Sequence, residues 1–95
     1  MPGAARNNID NVNGGIQRYG PQGTVNVENQ LWVVIGWQGD SHPPCPTPPK
    51  HCADHWRMAE GSANVFAMGI AVCRLGDKAD CGHPTTGSAT VFANG

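Results

Sequence analysis

A chain of 95 residues has room for one small domain, because it withdraws only about 60% of its unfolded surface from water. Six Lys and Arg stand against seven Asp and Glu, with no basic run, so no electrostatic footprint points to nucleic acid or an anionic membrane. Thirteen Gly, eight Pro and only 14% charged residues exclude long helices and a disordered chain, and leave a small all-β domain with little helix.

The N-terminal Met1-Pro2-Gly3-Ala4-Ala5-Arg6 lacks the apolar stretch of a secretory signal, and no segment approaches a membrane span; the longest apolar run is Leu31 to Ile35. The expectation is synthesis in the cytoplasm with reduced cysteines, which makes a disulfide framework the weaker reading. Gly23-Thr24-Val25-Asn26-Val27 then reads as a turn and an alternating strand. Leu31-Trp32-Val33-Val34-Ile35 follows and leads to Gly39-Asp40.

From Ser41 to Pro49 the prolines exclude helix and sheet pairing, so this segment is an ordered loop or a polyproline-like excursion. Lys50 to Glu60 fits either one or two helical turns or a strand beginning near Trp56, and the strand is the preferred reading. Gly61-Ser62-Ala63-Asn64-Val65-Phe66-Ala67-Met68-Gly69 recurs as Gly87-Ser88-Ala89-Thr90-Val91-Phe92-Ala93-Asn94-Gly95. Each copy reads as a Gly-Ser turn, a short apolar strand and a closing turn, with Phe66 and Met68 on the face opposite Val65 and Ala67. After the first copy, Ile70 to Leu75 leads to Gly76-Asp77, as the upstream strand leads to Gly39-Asp40. The chain is thus a single domain over 1–95 with repeats at about 20–40, 59–77 and 85–95, whose copies pack on one another.

The segments after the two Gly-Asp pairs hold His42, Cys45, His51, Cys52, His55, Cys81 and His83, which is every histidine of the chain. If equivalent loops of stacked repeats project to one end, imidazoles and a thiolate converge there and suit a four-coordinate zinc. His42 and Cys81, each close behind a Gly-Asp, are the first candidates; the alternative is a solvated loop histidine and a buried thiol. His51 and His83 come next, and His55 can pack on Trp56 instead. Cys45 and Cys52 read as spare thiols or alternative ligands, and Cys73, within a strand, as a core residue. No carboxylate pair or triad has a recognisable spacing, since Asp40-Ser41-His42 are neighbours in one turn, so the chain does not read as an enzyme. Trp32, Trp37 and Trp56 suit core packing, with a protein interface as the functional alternative.

The repeated Gly-Ser-Ala-x-Val-Phe-Ala-x-Gly, Gly76-Asp77, Cys81-Gly82 and the N-terminal Pro2-Gly3-Ala4-Ala5-Arg6 together resemble the PAAR-repeat proteins, over essentially the whole chain and most strongly from Ala59 to Gly95. The resemblance implies a pseudo-threefold cone of short β-hairpin repeats that caps and sharpens the trimeric β-helical spike of a contractile injection machine. It implies a structural, non-enzymatic tip with a metal near the apex, held in the family by three histidines and one cysteine. Carried over by position, Cys81 matches the late cysteine and His42 the first histidine after the second Gly-Asp, with His51 or His55 as the next. Asn13 stands where the family often has a histidine, so the fourth ligand falls to His83, with His55 or Cys52 as substitutes. Zinc is the expected metal and iron the lesser alternative. With no toxin-like extension after Gly95, the expectation is a phage tail baseplate in a virion, one monomer per spike trimer, meeting the host envelope transiently. An adaptor cap of a type VI secretion spike is the alternative, and a small zinc enzyme a weaker one.

Overall fold

The computed structural model describes residues 2–93, so the last two positions of the final repeat, Asn94 and Gly95, lie outside the described residues. The strands are short and antiparallel: β1 (Asn11–Val12), β2 (Gly15–Tyr19), β3 (Asn26–Val27), β4 (Gln30–Leu31), β5 (Gln38–Gly39), β6 (Phe66–Ala67) and β7 (Ile70–Ala71). A three-stranded sheet has the order β1-β2-β5, while β3-β4 and β6-β7 form separate hairpins. Helix among the described residues is confined to one 3-10 turn, Pro49–His51. Neither a longer helix nor a strand starting near Trp56 forms; Met58 instead makes an isolated bridge to Ala79. No helix of the described residues is long and apolar enough to cross a membrane.

The hairpins start on a shared device. Ser62 Oγ accepts the backbone N–H groups of Asn64 and Val65, and Ser88 Oγ accepts those of Thr90 and Val91. At the divergent copy Gln22 Oε1 does the same for Thr24 and Val25. All three side chains are buried, so each satisfies donors that the turn would otherwise strand away from water. Hairpins β3-β4 and β6-β7 close locally, through Trp32 N to Val25 O and Val72 N to Val65 O. At the third, among the described residues, the N-terminal segment supplies the pairing: Ala4 N donates to Val91 O, and Gly3 bridges Phe92.

The three copies then meet in a closed triangle. Ala5 N donates to Cys73 O, Cys73 N to Val33 O, and Val33 N to Ala5 O, at 3.1, 2.8 and 2.9 Å. The bridges beside it, Ala4 to Arg74, Arg6 to Trp32 and Val34 to Val72, repeat the same cyclic relation. Ala5, Val33 and Cys73 are fully buried on this pseudo-threefold axis, which makes Cys73 the core residue expected of it. A further turn repeats at each corner, with Asn8, Gly36 and Gly76 all at positive φ and donating to Gln17, Met58 and Thr85 respectively. Gly76-Asp77 therefore corresponds to Gly36-Trp37, and the sequence alignment with Gly39-Asp40 is out of register. The corners differ in what fills them. Arg6–Asp10 and Arg74–Asp77 ion pairs, at 2.8 and 3.0 Å, occupy two, while buried Trp37 fills the third and donates its indole N–H to Asn7.

Strand alternation holds where a hairpin has one buried face: Ala67 is buried, and Phe66 and Met68 are exposed. It fails from Val72 to Leu75, because entry into the triangle buries both Val72 and Cys73 and turns Leu75 outward.

Candidate metal centre

Beyond the triangle each corner gives rise to a loop, and two of these loops carry the histidines. His42 follows β5 through Asp40, whose carbonyl accepts the indole N–H of Trp56 at 3.0 Å. The same indole meets the His42 ring edge-on, with centroids 5.6 Å apart. Gly15 gives His42 room: a Cβ there would collide with the Asp40 carbonyl and stand 2.9 Å from His42 Nδ1. His51 ends the 3-10 turn, and its carbonyl accepts from His42 N at 3.0 Å, which joins the two ends of the proline-rich loop. Cys81 and His83 share one tight turn, closed by Gly82 N to Ala79 O and Ala79 N to His83 O. Gly82, at φ +96°, lets both flanking side chains face inward.

His42, His51, Cys81 and His83 converge, with one ligand atom of each lying within 4.8 Å of the others. His42 Nε2 is 3.1 Å from His51 Nδ1 and 3.5 Å from Cys81 Sγ. Tetrahedral zinc with ordinary bond lengths requires about 3.3 Å between nitrogens and about 3.6 Å between nitrogen and sulfur. His42, His51 and Cys81 are buried and His83 is half-buried. Nδ1 of both His42 and His83 is buried without a hydrogen-bond partner. This buried group of three imidazoles and one thiol is compatible with a bound metal ion.

The other candidates lie elsewhere. His55 is exposed, and it is His42, not His55, that packs on Trp56. Cys45 and Cys52 are joined in a disulfide, so neither is a spare thiol and Cys52 is not an alternative ligand. The expectation of reduced thiols rested on compartment, whereas the loop brings these two Cα atoms to 5.2 Å, inside the bonding range of about 4.4–6.8 Å. Cys73 and Cys81 remain free and buried. Asn13, in the loop that follows the Arg6–Asp10 corner, turns its side-chain amide to Pro43 O at 3.0 Å and so supports the ligand loop from outside. Gly15 and Trp56 were not legible as parts of this site, whereas the resemblance had already singled out Asn13 as the position of a family ligand.

Burial pushes the pKa of His42 down, reinforced by the neighbouring His83 and His51 and opposed by the Asp40 backbone. His51 is lowered by burial, then by His83 and Lys50. Depressed folded values mean that the unfolded chain takes up protons first as pH falls below about 6.5. Stability of the metal-free protein is therefore full above that pH and falls as the medium is acidified further. Urea unfolding midpoints between pH 8 and pH 5 measure this, and a midpoint that holds steady or rises below pH 6.5 would contradict it.

No protein-family model matches this chain, and no curated protein matches it significantly.

Proposed function

We propose that this chain is a structural, zinc-binding tip that caps the trimeric central spike of a contractile injection machine, most simply a phage tail baseplate. The observation that carries the reading is the closed backbone triangle of Ala5, Val33 and Cys73, since a pseudo-threefold monomer can seat on a threefold partner without a symmetry mismatch. Three hairpins enter that triangle and the ligand loops leave it, so the hairpin side is the natural docking face. Exposed Phe66, Met68 and Phe92 supply apolar contact area there. On this reading the metal ties together two loops far apart in sequence at the end that meets resistance. Zinc is favoured because four donors of mixed imidazole and thiolate type match its preferred set. No catalytic role is proposed, since four protein donors fill a tetrahedral ion and leave no position for substrate water.

The test is reconstitution with a trimeric β-helical spike protein of a contractile injection machine. One chain per trimer by native mass spectrometry, lost in Phe66→Glu/Phe92→Glu while metal content is retained, is the expected result. A stable homotrimer of this chain alone, or no binding to the spike, would overturn the single-cap reading.

A further inference from the structure

The two loops that converge on the metal centre are held in different ways. The short one, bearing Cys81 and His83, is fixed by its own backbone: the turn bonds between Ala79, Gly82 and His83 and the bridge from Lys78 to Pro84. The long one, bearing His42 and His51, is a series of separate local turns, Cys45 N to His42 O, Thr47 N to Pro44 O, His51 N to Pro48 O and Cys52 N to Pro49 O. Pro43, Pro44 and residues 46–50 are all exposed, so none of them anchors the loop in the core. Apart from its local turns, it is held by His42 N to His51 O, by Asn13 on Pro43 O, by Ser41 Oγ on Ala53 N, by the Tyr19 hydroxyl on Asp54, and by the Cys45–Cys52 disulfide. Cys52 is next to His51 in the chain, and Cys45 N donates to His42 O.

We propose that the Cys45–Cys52 disulfide is the positioning element of the metal centre, holding His42 and His51 together and thereby setting how long the ion is retained. This rests on the reading that the cluster binds metal. The crosslink spans seven residues of sequence, and closing so short a ring removes most of the freedom the loop would regain on losing the ion. It also withdraws two thiols from competition. In the reduced chain the Cys52 sulfur, one residue from His51, is a soft donor able to displace an imidazole. Oxidation thus leaves Cys81 as the one sulfur donor of the cluster. The step balances with a low-molecular-weight disulfide as oxidant. The two thiols give up two electrons and two protons and become Cys45–Cys52, and the small disulfide is released as two thiols.

The test follows zinc release from the full chain to a chromophoric chelator. It compares the oxidised protein, the same protein treated with a phosphine reductant, and the Cys45→Ser/Cys52→Ser variant. Release is expected to be about ten- to fifty-fold faster in both altered forms, the range set by the entropy of a ring of this size. Free-thiol counts, rising from two to four on reduction, confirm that the crosslink has opened. Unchanged release from the reduced wild type overturns the proposal even if the variant is damaged by the substitution itself. If the oxidised protein holds no metal, the metal reading fails and this inference falls with it. Zinc held equally well with the disulfide open defeats the inference alone.

Discussion

Cys81→Ser is expected to abolish tight metal binding and to lower the melting temperature to that of the chelator-stripped wild type. The size of the effect follows from two magnitudes. A chain of 95 residues has a total stability of about 5–14 kcal/mol. A structural zinc contributes an apparent free energy of about 10–16 kcal/mol in small zinc-dependent units. The proposed ion is thus comparable to everything else that holds the chain folded, and its removal should lower melting by tens of degrees. Serine keeps the shape of the turn around Gly82 but offers zinc no thiolate, and the three imidazoles that remain form a weaker, open set. The loss in affinity should exceed the about 10–100-fold that removing a ligand's hydrogen-bond partner costs. Melting curves with and without zinc, alongside elemental analysis, measure both effects. His55→Ala is the control: its side chain is exposed and outside the cluster, so metal content and melting should stay at wild-type values. Equal melting of the loaded and stripped wild type would show that the centre adds nothing to stability.

The four converging residues were legible because few side chains bind transition metals and the chain places nearly all of them in two segments. Their spacing could not show which would meet, and the geometry separates them by accessibility: His55 stays outside, and Cys52 is tied to Cys45. The disulfide was missed for a physical reason. Compartment argues about the redox state of an average thiol, whereas the folded loop brings these two within bonding distance at its neck.

The hairpin repeats were readable where the same residue does the same work, as Ser62 and Ser88 do. They were obscured where different chemistry fills the role. Gln22 reaches two backbone donors with Oε1 and the carbonyls of Val25 and Trp32 with Nε2, so one longer side chain does the work of a serine and more. The correspondence of Asn8 with Gly36 and Gly76 was hidden in a similar way, because asparagine tolerates positive φ without looking like glycine. The first corner also holds one extra residue, the exposed Ile9, so Arg6 and Asp10 are four apart where Arg74 and Asp77 are three. That offset conceals the repeat from any fixed-period search.

The pairing made by Gly3 and Ala4 had no local signature, because their partners, from Arg74 to Phe92, lie far along the sequence, and it carries the second large effect. Gly3→Ala is expected to destabilise the protein by about 2–4 kcal/mol, a fall in melting temperature of about 10–30 °C for a domain of this size. Gly3 stands where the other two corners have Leu31 and Ala71, yet here the strands approach more closely. Leu75 N donates to Gly3 O at 2.6 Å, and a Cβ on Gly3 would fall within the radius of the Ser88 carbonyl oxygen. Backbone cannot rotate aside as a flexible side chain can, so the strand must move. In moving it weakens Ala4 N to Val91 O and Ser88 N to Ala4 O, each 2.7 Å, and pulls on Ala5 in the central triangle. Gly87→Ala should act in the same way, since its Cβ would strike the Gly3 carbonyl from the other side. Gly23→Ala is the matched control: its Cβ would meet open space at a φ outside the left-handed region, so melting should hold or rise slightly. Equal melting of the Gly3 and Gly23 variants would mean that the third hairpin is not closed by the N-terminus. A selective loss at Gly3 and Gly87 would establish that the segment around Gly3 and the hairpin that starts at Gly87 complete one repeat between them.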